Sequence, residues 1–301
     1  MSVQEGGIRL RQEDRQTHGG GWRRIFAFIL IKLTVVILCS NGLAIAKPGS
    51  NDRLVLMWQV QNTVSDEELV VLKRKGVNLV QSFPLITWRD AEIRSYLDRM
   101  HKFGFGVVMT VVSMSEKGPS GWSIRESALV GFIRKWRTHP AVFAWHTFDE
   151  PSNRGVAEVP KELQERVYGL VKSIDPDHPV MISWNGTSFW HYRFFSEQAF
   201  DVLDLHAHIT DTVGRRQAAL INEFRKRRAR DYPVIVTIAT VYRPGNKPLP
   251  EDAVIQQYRY FFGENVVTRN IGFYGWDLSR NIGIRKDTSL LSQFLDLELT
   301  K

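Results

Sequence analysis

From residue 52 onward two kinds of apolar pattern alternate along the chain. Segments 53–60, 77–83, 105–112, 142–148, 180–184, 201–209, 232–241 and 270–276 are short, apolar and rich in β-branched and aromatic residues. Strands buried on both faces have this character. Between them, segments 65–75, 91–103, 123–138, 161–174, 217–230, 251–263 and 289–299 read as helices, several with apolar residues at helical spacing. The punctuation agrees. Ser65 followed by Asp66, Glu67 and Glu68 is a helix start, Gly76 and Gly104 are stops, and Pro160 sits at a first turn. Eight apolar strands, each followed by a helix or room for one, predict a single-domain α/β fold, a (β/α)8 TIM barrel over residues 52–301. A doubly wound open sheet is the alternative. It calls for a glycine-rich turn after the first strand, and Gln61, Asn62, Thr63 and Val64 do not supply one.

The first 46 residues have a different pattern. Residues 1–21 are polar and of mixed charge, as a disordered N-terminus would be. Trp22, Arg23 and Arg24 then precede an apolar run that is interrupted only by Lys32 and leads to Ala44 and Ala46. A basic lead, an apolar core and a small-residue exit form a signal peptide. A membrane anchor is the competing reading of 22–46, because the run approaches bilayer length. Either reading places the barrel outside the cytoplasm, periplasmic or secreted, with membrane association if the segment stays attached.

Composition narrows the function. The formal charge is +8, and the 301 residues are 24% charged. No basic stretch is interleaved with aromatics, so a nucleic-acid partner is not expected. The densest run, Arg225 to Arg230, falls on a predicted outer helix and reads as a solvated face. The single cysteine, Cys39, lies in the N-terminal apolar run, so the barrel holds neither disulfide nor thiolate metal site. No P-loop, GxSxG elbow or HExxH motif occurs, and neither metal nor cofactor is expected.

Barrel chemistry is carried at the C-terminal strand ends. Aromatics recur there at Trp58, Phe83, Trp88, Trp184, Trp190, Tyr242 and Trp276, either as core or as faces for sugar rings. The polar residues at these ends are Glu116, Asp149, Glu150, Asn185, His206, His208, Asp211 and Asp277. His206 and His208 share one side of a strand but lack a third ligand at metal-site spacing. The sharpest feature is the fourth strand, which runs apolar from Val142 and stops at Asp149, Glu150 and Pro151.

The run from His139-Pro140 through that strand to Asp149-Glu150-Pro151 resembles the fourth-strand signature of the retaining glycoside hydrolase superfamily of (β/α)8 barrels, which includes β-galactosidases and cellulase-like enzymes. The turn around Asp175, Pro176, Asp177, His178 and Pro179 and the last-strand Trp276 are similar to that group as well. The resemblance implies a carbohydrate substrate, Glu150 as general acid/base and Asp149 as its sugar-contacting neighbour. It also implies a nucleophilic glutamate at the end of strand seven, where this chain has Thr237, Ile238, Ala239, Thr240, Val241 and Tyr242. Three readings follow. Asp211 or Asp277 is the second carboxyl group, Tyr242 is a nucleophile, or the barrel is a non-catalytic carbohydrate-binding protein of extracellular polysaccharide assembly. The first is preferred, with Glu150, Asp149, Asp277 and Asp211 as catalytic candidates. Trp276, Trp184, Asn185, His206, His208, Trp58 and Tyr242 are the substrate-binding candidates.

Overall fold

The structure is a computed structural model and describes residues 53–118, 121–153, 157–185, 193–207, 213–239, 252–264, 268–276, 284–285, 288–297 and 299. All of these lie in the unit Ile45–Lys301. The N-terminal segments 1–21 and 22–46 lie outside the described residues. Among the described residues no helix is long and apolar enough to cross a membrane.

Eight parallel strands close into a barrel. They are β1 (Val55–Met57), β2 (Leu79–Gln81), β3 (Gly106–Thr110), β6 (Val142–Asp149), β9 (Val180–Asn185), β10 (Val202–Ala207), β11 (Val234–Ala239) and β12 (Asn270–Tyr274). They pair in that order and β12 returns to β1, with Met57 opposite Phe273. The outer helices are α1 (Asp66–Arg74), α2 (Asp90–Lys102), α3 (Glu126–Trp136), α4 (Lys161–Ile174), α5 (Val213–Arg227), α6 (Ala253–Tyr258) and α7 (Thr288–Asp296). The predicted barrel is therefore the observed one.

Local chemistry sets the element boundaries. Ser65 Oγ accepts from Glu68 N and Glu68 Oε2 accepts from Ser65 N, a reciprocal capping box that starts α1. Gly76 ends that turn at φ 86°, a left-handed conformation that side chains resist. The expected loop after β3 is instead a hairpin, β4 (Ser115–Gly118) against β5 (Gly121–Ile124), on which Glu116 is exposed. The hairpin takes Ser123 and Ile124 from the helix expected at 123–138, so α3 begins at Glu126. A second short ladder, β7 (Ser152–Asn153) with β8 (Ala157–Glu158), follows the fourth barrel strand.

Side-chain alternation divides the barrel interior into two zones. Leu54, Leu56, Leu79, Val108, Ala144, Met181, Val202 and Ile235 form an apolar floor inside the barrel. Two residues further along each strand the same face carries Trp58, Gln81, Thr110, His146, Ser183, Asp204 and Thr237, all buried. The outward faces of the strands pack against the helices in a larger apolar layer that includes Trp145, Trp184, Phe273 and Trp276. The apolar floor supplies burial, and the polar zone above it leads to the C-terminal mouth.

Candidate active site

A bulge in the fourth barrel strand aims the carboxylates. Along β6, Trp145 faces the outer layer and His146 is one of the inward residues, so strict alternation would turn Phe148 inward and Asp149 outward. The pairing of β6 with β9 shifts between His146 and Phe148. Thr147 is the extra residue, and its hydroxyl reaches Met181 O at 3.4 Å. Phe148 consequently packs in the outer layer and Asp149 pairs with Ser183 on the inward side. Glu150 then adopts φ 49°, a left-handed conformation that costs a residue with a Cβ about 1–2 kcal/mol. Its amide donates to Ser183 O at 2.9 Å, which holds the turn. Strained backbone of this kind concentrates at functional sites.

The polar groups above the floor form one directed chain. Trp58 Nε1 donates to Thr237 Oγ1 at 3.2 Å, and Thr237 Oγ1 donates to Asp204 Oδ1 at 2.6 Å. On the other side His146 Nε2 lies 3.0 Å from Ser183 Oγ, which donates to Asp204 Oδ2 at 3.3 Å. Both branches end on Asp204, so the network itself selects the Nε2–H tautomer of His146. His206 lies between Asp204 and Glu150. Its Nε2 is 3.3 Å from Asp204 Oδ2 and its Nδ1 is 2.9 Å from Glu150 Oε1. Trp58 meets both imidazoles edge-on, with centroids 5.2 Å from His146 and 5.5 Å from His206.

One close approach makes this arrangement fit. Gly272 on β12 pairs with Thr237, and a Cβ at 272 would lie 1.9 Å from Thr237 Oγ1. Only glycine leaves room for the hydroxyl that links Trp58 to Asp204.

The surroundings separate the charges. Burial opposes charge on His206, but its close pairing with Asp204, its hydrogen bond to Glu150 and the charge of Asp149 outweigh that effect and hold it well above its ordinary range. Burial, joined by the positive charge of His206, pushes His146 down to about 3 against a backbone hydrogen bond at Phe148. Burial pushes Asp149 up to about 6. His206 pulls it down, and the charges of Glu150 and Asp204 add to the rise. Near neutral pH the mouth thus holds a cationic His206 and a neutral His146 among three carboxyl groups. Such divergence between neighbouring groups marks functional sites more often than packing cores.

The structure brings Asp149, Glu150, His206 and Trp58 together. Glu150 reaches the surface with 17% of its side chain exposed, whereas His206 is 2% exposed behind it. Trp58 is fully buried inside the barrel and serves as packing and donor. Trp184 and Trp276, expected to stack on a sugar, are fully buried in the outer layer, where they meet Phe195 and Phe294 edge-on. Asn185 ends β9. His208, Asp211, Tyr242 and Asp277 lie outside the described residues. Asp204, Ser183, Thr237 and His146 were not singled out from the sequence. Asp204 did carry a signal, since a carboxylate two residues before His206 between leucines must face the same side. Among the described residues no cluster of His, Cys, Asp and Glu could hold a metal ion.

The cluster lies at the C-terminal mouth of the barrel, the face on which parallel (β/α)8 barrels build their active sites. The chain shares a (β/α)8 barrel fold with solved structures of glycoside hydrolases. It is similar to a GH113 beta-1,4-mannanase at 13% identity, over 81% of this chain and 97% of that one, with a TM-score of 0.56. It is similar to the beta-galactosidase of the psychrophilic Marinomonas ef1 at 11% identity, over 81% of this chain and 58% of that one, with a TM-score of 0.56. A third match is the beta-D-glucuronidase of Dictyoglomus thermophilum, at 13% identity over 73% of this chain and 43% of that one, with a TM-score of 0.50. The chain spans less than two thirds of the length of several of these relatives, 58% of the Marinomonas enzyme and 43% of the Dictyoglomus one. No family model matches the chain, and no curated protein matches it. At these identities the likeness is one of fold.

Proposed function

We propose that the protein is a glycoside hydrolase and that Glu150 is its general acid/base. The observation that carries this reading is the Glu150–His206 contact of 2.9 Å at the barrel mouth. Glu150 is the exposed member of the pair and His206 the buried one. A general acid must hold a proton at the start of the reaction and recover it afterwards. The hydrogen bond offers a route for both. A proton crossing from His206 Nδ1 to Glu150 Oε1 leaves a neutral acid, which then protonates the glycosidic oxygen of the leaving group. Asp204 keeps the emptied imidazole oriented for the return.

Glycoside hydrolysis needs a second carboxyl group to attack the anomeric carbon or to activate water. Asp204 does not qualify, because it is fully buried and accepts from both Thr237 and Ser183. Asp277 and Asp211, which follow strands β12 and β10 in the chain, are the proposed second group. We also place the barrel outside the cytoplasm, on the strength of segment 22–46. A fusion to a reporter active only in that compartment tests this placement.

The functional test is hydrolysis of β-linked mannan, galactan, glucan and glucuronide substrates by the wild type and by Glu150→Gln. Removal of a general acid lowers the rate by about 100- to 10,000-fold. Equal rates for the two proteins would refute the role of Glu150. Variants Asp277→Asn and Asp211→Asn assign the second carboxyl group by the same measurement.

A further inference from the structure

The end of the barrel opposite the mouth collects cations. In a parallel barrel each outer helix runs back toward the strand N-termini, so its last turn and the link to the next strand lie at that end. Basic residues occupy the last turns of α1 to α5, whereas the first turns of α1 to α4, toward the mouth, carry acids. Cations at helix C-termini suit the helix dipole, and the fold uses several of them. Lys75 Nζ donates to Leu297 O at 2.9 Å, and Arg228 pairs with Asp231. Within the run Arg225 to Arg230, Arg227 pairs with Glu223 and Arg230 donates to the carbonyls of Glu197 and Phe200. Five exposed cations remain. Arg74, Lys102, Arg134, Lys226 and Arg269 have no ion pair and no side-chain hydrogen bond among the described residues. Arg269 belongs to no helix, so the dipole does not account for it. Against them stand only Asp177 and Asp296 as exposed acids of this end without a partner among the described residues.

The chain also enters the barrel at this end. Just before β1, Arg53 Nε donates to Arg269 O at 2.6 Å and Arg53 Nη1 to Leu299 O at 2.9 Å. Residues 47–52 alone separate Arg53 from segment 22–46, whose sequence reads as a signal peptide or membrane anchor. Six residues span at most about 22 Å, which keeps this end, not the mouth, near any membrane that the segment enters. We propose that the N-terminal face of the barrel docks on a bilayer containing anionic phospholipid, with lipid phosphates as the counter-ions of Arg74, Lys102, Arg134, Lys226 and Arg269. These residues are spread over four helices and the entry to β12, not gathered in a cleft, and so match a flat anionic surface better than a single small anion. Each Lys or Arg near such a surface strengthens the attachment about fivefold. A docked barrel turns its mouth, and Glu150 with it, away from the lipid. The proposal does not depend on the glycosidase reading.

The test uses the full chain with vesicles of phosphatidylcholine, alone or mixed with phosphatidylglycerol, that carry a nitroxide quencher on a lipid headgroup. In a Cys39→Ser background a fluorescent label is attached through Thr138→Cys, exposed on the basic face, or through Ser123→Cys, exposed on the hairpin β4–β5 at the other end. The label at 138 should be quenched and the label at 123 should not, and only when phosphatidylglycerol is present. Salt at about 1 M, where the Debye length is about 3 Å, should abolish the quenching. These lipid and salt comparisons need no change to the basic face. Arg134→Gln combined with Lys226→Gln should lower the ratio of docked to undocked barrel about 25-fold. Arg89→Gln combined with Lys117→Gln, which removes the same charge from the mouth end, should leave that ratio unchanged. Equal quenching of the two labels, quenching indifferent to phosphatidylglycerol or to salt, or undiminished docking of the Arg134 and Lys226 variant overturns the proposal. Retention of the full chain by polygalacturonate without docking on vesicles also overturns it, and makes an acidic glycan the partner of the same cations.

Discussion

A single methyl group at position 272 tests whether Thr237 organises the barrel mouth. In Gly272→Ala the new Cβ would lie 1.9 Å from Thr237 Oγ1, 2.9 Å from its Cβ and 3.1 Å from its Cα. The last contact is with backbone, so rotating the side chain does not remove the whole overlap. Overpacking of this kind costs about 1–3 kcal/mol. Displacing the Thr237 hydroxyl also leaves buried Asp204 Oδ1 without its 2.6 Å donor, for about 1–3 kcal/mol more. The expected loss is about 2–6 kcal/mol, a large share of the 5–15 kcal/mol typical of a folded domain. In a domain of this size that corresponds to a melting temperature lower by about 10 °C. Urea unfolding followed by circular dichroism gives the loss directly. Thr237→Val separates the two contributions, since it keeps the volume and removes only the hydroxyl. It should cost less than Gly272→Ala. In a Thr237→Ala background the Gly272→Ala change should cost at least about 1 kcal/mol less than alone, because the nearest atom is gone. An unchanged urea midpoint for Gly272→Ala, or additive costs in the double variant, would refute the reasoning.

The pH dependence of stability provides further tests. His146 ordinarily titrates at 6.5 and does so near 3 in the fold, so its contribution is complete above 6.5 and is lost as pH falls toward 3. Asp149 moves from 3.8 to about 6 and acts in the opposite sense, since its proton favours the fold and stability declines as pH rises across that window. The two slopes, each about 1.4 kcal/mol per pH unit, oppose one another between about pH 4 and 6. Asp149→Asn should therefore expose a one-proton loss of stability on acidification in that window, read from urea midpoints. His206 is raised, so its contribution is present below 6.5 and is lost as pH climbs through its folded value. A His206→Gln variant should lack that alkaline decline. Asp204→Ala leaves His206 with one carboxylate partner fewer and should cost about 3–5 kcal/mol by the same unfolding assay. Ser65→Ala removes one half of the α1 capping box and should cost about 1 kcal/mol.

The fold was legible because parallel barrel strands are apolar on both faces and the helices between them carry their own start and stop residues. Ser65 and Gly76 bound α1 as expected. The hairpin β4–β5 was not legible, because Ser115 to Ile124 is too polar to show a strand pattern and its pairing depends on cross-strand contact. At the site, Glu150 and His206 were visible as polar residues at strand ends, but their contact joins positions 56 residues apart. The role of Thr237 needed the Gly272 pairing, which no local pattern announces. The tryptophans show the limit most plainly. Trp58 and Trp184 both end apolar strands, yet one faces the barrel interior and the other the helices. The parity of a strand's register decides between these, and parity is not written in the residue type.

The Thr147 bulge shifts that parity by one residue, which matters for anyone transplanting the motif. A graft of Asp149, Glu150 and Pro151 onto the end of a regular strand in another barrel would point the aspartate at the outer helices. Its glutamate would lose the approach to a sixth-strand histidine. The portable unit is the longer segment from His146 to Glu150, together with the Ser183 carbonyl that fastens it. A one-residue deletion at Thr147 in this protein is the mirror experiment. It would leave the composition of the mouth almost unchanged while exchanging the faces on which its acid side chains stand.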